Sequence, residues 1–232
     1  MFAKTSFFKV PFFFFSTAAG TSSTSAYGRH FYQYPVLNLP IDSGALPYSH
    51  YISQSTPILA DFRKNLQAIL REKRADNPSR GHKKRQKMSI RERVTKLLDP
   101  GSPFLELSQF AGYKLYNEDL PSGGMVTGVG LIKGKWAMIV ANDPTIKAGS
   151  LFPITIAKQI RAQEIAFENE LPCVYLVDTA GAYLPMQDQV FPGKDHGGRL
   201  FTYMAKMSAR GISQISIVLG LCAAGGSFIS GM

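Results

Sequence analysis

The chain has 232 residues, 45% of them hydrophobic, and a formal net charge of +10. That is enough for one large domain or two small ones with a true hydrophobic core, and no stretch reaches the unbroken apolar length of a membrane span. Residues 1–100 carry 16 Lys and Arg against 6 Asp and Glu, whereas residues 101–232 carry 10 of each, so the basic excess is N-terminal and the remainder is electrically ordinary.

The first acidic residue is Asp42. The preceding stretch is rich in Ser and Thr, with Lys4, Lys9 and Arg29 scattered through it. An acid-free, mildly basic leader of this kind reads as a mitochondrial transit peptide over residues 1–35. The secretory alternative needs an apolar run at "FFKVPFFFF", which Lys9 and Pro11 interrupt. Residues 31–57 are rich in Tyr, Pro and Ser and read as extended chain, with a linker assigned to 36–60. A basic helical segment is expected over 61–100. Its first helix places Phe62, Leu66, Ile69 and Leu70 on one face, and Pro78 and Gly81 break it. A second helix opens at the Ser89-x-x-Glu92 capping box, repeats Ile90, Val94, Leu97 and Leu98 at helical spacing, and ends at Asp99-Pro100-Gly101.

From residue 125 the pattern changes. Two apolar runs flank Lys133-Gly134-Lys135 and predict a β-hairpin. Pro153 opens a helix whose shared face is expected to hold Ile156, Ala157, Ile160 and Phe167. "CVYLVD" is a continuously apolar strand, as in a sheet covered on both sides. A helix over about 198–210 and a second buried strand, "QISIVLG", follow. Strands joined by helices imply right-handed parallel crossovers. Cys173 and Cys222 lie far apart in apolar stretches and read as buried thiols of a reducing compartment.

Two strand ends carry unusual chemistry: Asp178-Thr179-Ala180-Gly181-Ala182-Tyr183 and Ala223-Ala224-Gly225-Gly226-Ser227. Both fall at carboxyl ends of parallel strands, where open α/β sheets bind ligands. Glycine lets a ligand approach bare N–H groups, and one N–H from each turn could converge on a single oxygen as an oxyanion hole. The simpler reading is a pair of tight turns. Gly128, Gly130 and Gly134 miss the dinucleotide fingerprint by one residue and sit in the hairpin. Ser227 lacks the second glycine of a nucleophile elbow, because that position is Ile229. A Ser227–His196–Asp178 triad can be drawn but has no support. The basic run over residues 80–87 has no interleaved aromatics, so it reads as a solvated linker or a phosphate-contacting edge rather than a nucleic-acid site.

Several long tracts in order, "RERVTKLLDPGSPFLELSQFAGYKLY", "PSGGMVTGVG", "ANDPTIKAGS", "RAQEIAFENELPCVYLVDTAGAYLP", "VFPGKDHGGRLF" and "GLCAAGGSF", resemble the N-terminal half of the acyl-CoA carboxyltransferase β subunits. The resemblance is nearest to the mitochondrial methylcrotonoyl-CoA branch. It implies an α/β crotonase-like fold, a ββα superhelix, with residues 101–232 forming part of an N-terminal carboxyltransferase domain. It implies transfer of a carboxyl group from carboxybiotin to 3-methylcrotonoyl-CoA, a step in leucine degradation, with propionyl-CoA or geranyl-CoA as alternative substrates. No cofactor or metal is expected on this chain itself. Biotin is carried by an α subunit that also has the biotin carboxylase using ATP and bicarbonate. The implied partners are that subunit, further β subunits and the acyl-CoA, with neither nucleic acid nor membrane, in the mitochondrial matrix.

The resemblance assigns the enolate to backbone donors around Ala180, Gly181, Ala182, Gly225 and Gly226, and sets Lys147 toward the CoA side. The family usually has glycine where this chain has Ala148 and Ala180. Alanine at 180 fits if its φ is negative and is strained otherwise. Family members are more than twice as long, so the chain by itself is expected to be a truncated piece without activity. The alternative function is a non-catalytic relative that at most binds acyl-CoA or subunits.

Overall fold

The computed structural model describes residues 46–70, 87–117, 119–191 and 193–232. The segment expected to be a transit peptide and most of the basic run lie outside the described residues.

Helix α1 spans Leu46–Leu70 and contains Pro57. This corrects the reading of residues 31–57 as extended chain, because residues 46–57 are helical. Proline removes an N–H from a helix interior and normally breaks it. Here Ser53 donates to the His50 carbonyl and Thr56 to the Ile52 carbonyl, each at 2.7 Å, while the chain winds on. The signal was present in sequence: Tyr48, Ile52, Leu59, Phe62, Leu66 and Ile69 continue one helical stripe across the proline. Most of that stripe is exposed, although Phe62 meets Phe110 with ring centroids 5.1 Å apart.

Helix α2 spans Ile90–Leu97 and has the expected capping box. Glu92 N–H donates to Ser89 Oγ at 3.3 Å, and Ser89 N–H donates to Glu92 Oε2 at 2.8 Å. Five strands follow in one sheet of order β1-β2-β3-β4-β5: β1 Phe104–Leu107, β2 Met125–Ile132, β3 Lys135–Asn142, β4 Cys173–Thr179 and β5 Gln214–Cys222. The first three pair antiparallel and the last three parallel. Helices α3 (Pro153–Glu168) and α4 (Gly197–Ala209) make the two crossovers. The hairpin turn is Lys133-Gly134, both at positive φ, as a primed two-residue turn requires. Asp99 accepts both of their N–H groups at 2.7 Å, and these bonds hold its carboxyl below the ordinary value.

The sheet is covered on two faces. Met138, Val140, Cys173, Tyr175 and Val177 pack with Ile156, Ile160, Leu200, Met204 and Met207 of α3 and α4. Ile139, Ala141, Val174 and Leu176 pack with Ile90 and Val94 of α2. Burying side chains of this size stabilises by about 1.5–3 kcal/mol each. Gly128 and Gly130 serve this packing: a β-carbon at 128 would fall 2.4 Å from the Phe104 ring, and one at 130 would fall 2.3 Å from Leu98 Cδ2. Two expectations are corrected. Ala157 is exposed, because α3 buries a stripe through Thr155, Ile156, Gln159, Ile160, Gln163 and Ala166. β5 is not a buried strand: Ile215, Val218 and Leu221 are each about half exposed, since β5 ends the sheet among the described residues.

Candidate active site

The carboxyl ends of β4 and β5 lead into the two glycine turns, and the turns touch. Gly181 has φ +93°, and a β-carbon there would fall 2.9 Å from Ala224 Cβ and 3.2 Å from the Ala223 carbonyl oxygen. Ala224 itself has φ 47° and ψ −122°, a strained conformation for alanine. It launches helix α5, Gly225–Gly231. Ala223 N–H donates to the Thr179 carbonyl at 3.1 Å, joining the turns through backbone.

A third loop sits against them. In the turn Lys147–Gly149 all three residues have positive φ. A β-carbon on Gly149 would fall 2.2 Å from the Asp178 carbonyl oxygen. Ala180 has no positive φ, so alanine is accommodated there, whereas Ala148 does stand in the left-handed region at φ 56°. Lys147 is exposed, with Nζ 6.0 Å from the Tyr183 ring centroid, so it lies beside the 180–183 turn. An open groove of about 310 Å³ adjoins Tyr183, between Tyr116, Phe152 and Met186.

Three of the five candidate backbone donors are engaged within the chain. Ala180 N–H donates to the Ala148 carbonyl at 3.0 Å, Gly181 N–H to Thr179 Oγ1 at 3.0 Å, and Gly226 N–H to the Ala223 carbonyl at 2.9 Å. No hydrogen bond from Ala182 N–H or Gly225 N–H is found among the described residues. Ala182 bridges Leu151 in parallel register, with the Gly181 carbonyl and the Tyr183 N–H facing Leu151. Backbone alternation then points the Ala182 N–H away from Leu151. A β-carbon on Gly225 would meet nothing within 4 Å, so that residue borders open space.

Two side chains hold this arrangement together, and sequence reasoning missed the role of both. Thr179 Oγ1 donates to the Gly149 carbonyl at 2.5 Å while accepting from Gly181, and its methyl stands where a β-carbon of Gly226 would be. Asp178 is 1% exposed. Its carboxylate takes hydrogen bonds from Lys87 Nζ (2.9 and 3.1 Å), Arg93 NH1 (3.0 Å) and Leu221 N–H (2.9 Å). Burial alone would push this carboxyl upward. The bonds from Lys87, Arg93 and Leu221, with the Lys87 charge, outweigh it and hold the group below its ordinary value. The clue lay in an Asp closing an otherwise apolar strand, since a buried carboxylate needs partners. Lys87, read as part of a solvated run, is one of them.

The Ser227–His196–Asp178 triad is not assembled. Asp178 is held by its two cations, and Ser227 Oγ donates to the Ala224 carbonyl at 2.6 Å. Both cysteines are free thiols; Cys173 is buried, and burial pushes it up to about 12. Among the described residues no three His, Cys, Asp or Glu side chains are grouped to hold a metal, and no helix is long and apolar enough to cross a membrane.

Comparison with known proteins identifies the family. The family model described as "Carboxyl transferase domain" matches residues 81–232. The mitochondrial methylcrotonoyl-CoA carboxylase beta chain of Arabidopsis thaliana is 53% identical over 175 residues, covering 75% of this chain and 30% of that one. The biotin-dependent 3-methylcrotonyl-coenzyme A carboxylase beta1 subunit of Mycobacterium tuberculosis is 47% identical over 183 residues, covering 76% and 35%. The crystal structure of the geranyl-CoA carboxylase beta subunit of P. aeruginosa superposes with a TM-score of 0.72 at 35% identity, covering 84% of this chain and 37% of that one. The chain thus spans about a third of the length of the curated relatives it matches. With a family match over most of its length and a carboxyltransferase β subunit as structural neighbour, the chain belongs to the carboxyl transferase domain family and has its crotonase-like fold.

Proposed function

We propose that this chain is the acyl-CoA-binding part of a biotin-dependent carboxyltransferase β subunit, with 3-methylcrotonoyl-CoA as substrate, and that Ala182 N–H and Gly225 N–H hold the thioester oxygen. The observation that carries this reading is that two touching turns leave one N–H each without an acceptor among the described residues. Loss of the γ-proton from the substrate spreads negative charge through the double bond to the thioester oxygen. Two fixed N–H dipoles stabilise that charge without reorganising, and one such donor is worth about 10²–10³ in rate. Carboxybiotin on a partner subunit would supply the carboxyl group and take the proton. Asp178, the carboxylate that precedes the first turn, is committed to Lys87 and Arg93 and so is not poised as a general base. Lys147 beside Tyr183 is suited to the anionic CoA side.

The substrate choice follows the identities of 53% and 47% to methylcrotonoyl-CoA carboxylase chains. Geranyl-CoA is the second reading, favoured by the structural neighbour of that specificity. The names of the plant, fly and slime-mould relatives place them in mitochondria, which supports the same location here together with the acid-free leader.

The test is titration of the ¹⁵N-labelled full chain with 3-methylcrotonoyl-, propionyl- and geranyl-CoA. Shifts of the Ala182 and Gly225 amides, largest with the first ligand, are expected. Shifts confined to other parts of the chain would remove the thioester site from these turns. Incorporation of labelled bicarbonate, with a biotin-bearing partner and ATP added, reads the reaction itself. A fluorescent fusion of residues 1–40 reads location; a secretory or diffuse signal would count against a mitochondrial leader.

A further inference from the structure

Asp178 lies where β4 and β5 fall out of step. Val177 pairs with Val218, yet Thr179 pairs with Cys222, so β5 carries two extra residues opposite Asp178. Leu221, inside that bulge, donates its N–H to Asp178 Oδ1 at 2.9 Å. The carboxylate thus replaces the ladder partner that the bulge takes away. From the α2 side, Lys87 binds both carboxylate oxygens and Arg93 binds Oδ2. The space is made by Gly220, where a β-carbon would fall 2.2 Å from both Asp178 Oδ1 and Lys87 Nζ.

Burying a carboxylate with two cations is a poor way to gain stability, since well-packed apolar side chains of similar volume commonly do better. What the cluster does provide is registry. Asp178 is followed directly by the Thr179–Gly181 contacts, and Leu221 by the strand end that leads to Ala224 and Gly225.

We propose that Asp178 is a positioning residue: by holding the β5 bulge at Leu221 with Lys87 and Arg93 behind it, it sets the spacing between the Ala182 and Gly225 N–H groups. The inference rests on the reading of those two groups as thioester-oxygen donors. Asp178 touches no substrate in this account.

The experiment uses the full chain and two probes, 3-methylcrotonoyl-CoA and its thioether analogue, in which two hydrogens replace the carbonyl oxygen. The ratio of their affinities reports on the carbonyl donors alone, because any loss of folded protein lowers both equally. The wild type is expected to favour the thioester about tenfold, the scale of one net hydrogen bond or two. Asp178→Asn is expected to bring the ratio near one. Gly220→Ala, which displaces the ion cluster without removing a charge, is expected to do the same. A wild-type ratio of one overturns the donor reading and this inference with it. A tenfold ratio that survives in both variants overturns the inference alone. Amide exchange of the wild type gives an arm that needs no variant: Leu221 is expected to be as protected as the paired residues of β4, and exchange at surface rates overturns the proposal.

Discussion

A β-carbon on Gly226 would fall 2.4 Å from Thr179 Cγ2, so the first turn of α5 can lie against the end of β4 only because residue 226 has no side chain. The adjacent Gly225 faces open space. Two neighbouring glycines therefore do different work, one in packing and one at a surface.

Substitutions separate these roles. Gly226→Ala is expected to destabilise the chain by about 1–3 kcal/mol through overpacking. Gly225→Val is expected to cost less than about 1 kcal/mol of stability and to abolish carbonyl-dependent binding of 3-methylcrotonoyl-CoA. Thermal melts and calorimetric titration check both. Full thioester affinity in the Gly225 variant would make that turn structural only.

The Thr179 hydroxyl is a second point of leverage. Thr179→Val keeps the shape but leaves the buried Gly181 N–H without an acceptor and the Gly149 carbonyl without this donor. Stranding buried partners costs about 1–3 kcal/mol each. Thr179→Ser keeps both bonds and loses a methyl, for about 1 kcal/mol. Urea midpoints decide; a loss in Thr179→Val no larger than that in Thr179→Ser would show that the hydroxyl does not hold these turns.

Ala148 stands at φ 56° and is exposed. A left-handed alanine is strained by about 1–2 kcal/mol, partly offset by the greater unfolded-state entropy of glycine. Ala148→Gly is expected to raise stability by up to about 1 kcal/mol, read as a higher melting temperature. A fall would show that the loop does not keep this conformation.

Lys158 sets a pH dependence. Its ammonium is buried and donates to the Ser122 and Met125 carbonyls at 2.8 and 2.7 Å. Burial pushes it down from 10.5 to about 8, with Glu106 opposing and Arg91 adding to the shift. Between these values the unfolded chain binds more protons than the folded one, so this group's contribution rises with pH from about 8 toward 10.5. The slope is at most about 1.4 kcal/mol per pH unit. Unfolding free energies of wild type and Lys158→Met across that range check it; parallel curves would refute the assignment.

What the sequence determined by itself is local. The Ser89–Glu92 capping box, the Lys133-Gly134 turn, the helix opening at Pro153 and the apolar run of β4 each depend on residues within a few positions, so their signals survive in one dimension. The family tracts were legible for the same reason, as ordered strings. Tertiary structure decided the rest, because those outcomes depend on residues brought together from far apart. Pro57 did not stop α1, Ala157 fell outside the buried stripe of α3, and β5 became a half-exposed edge. The five candidate donors looked alike in sequence. Only folding gave Ala180, Gly181 and Gly226 internal acceptors at Ala148, Thr179 and Ala223 and left Ala182 and Gly225 without one among the described residues, since a backbone N–H is spoken for only when the chain brings a carbonyl or hydroxyl within reach.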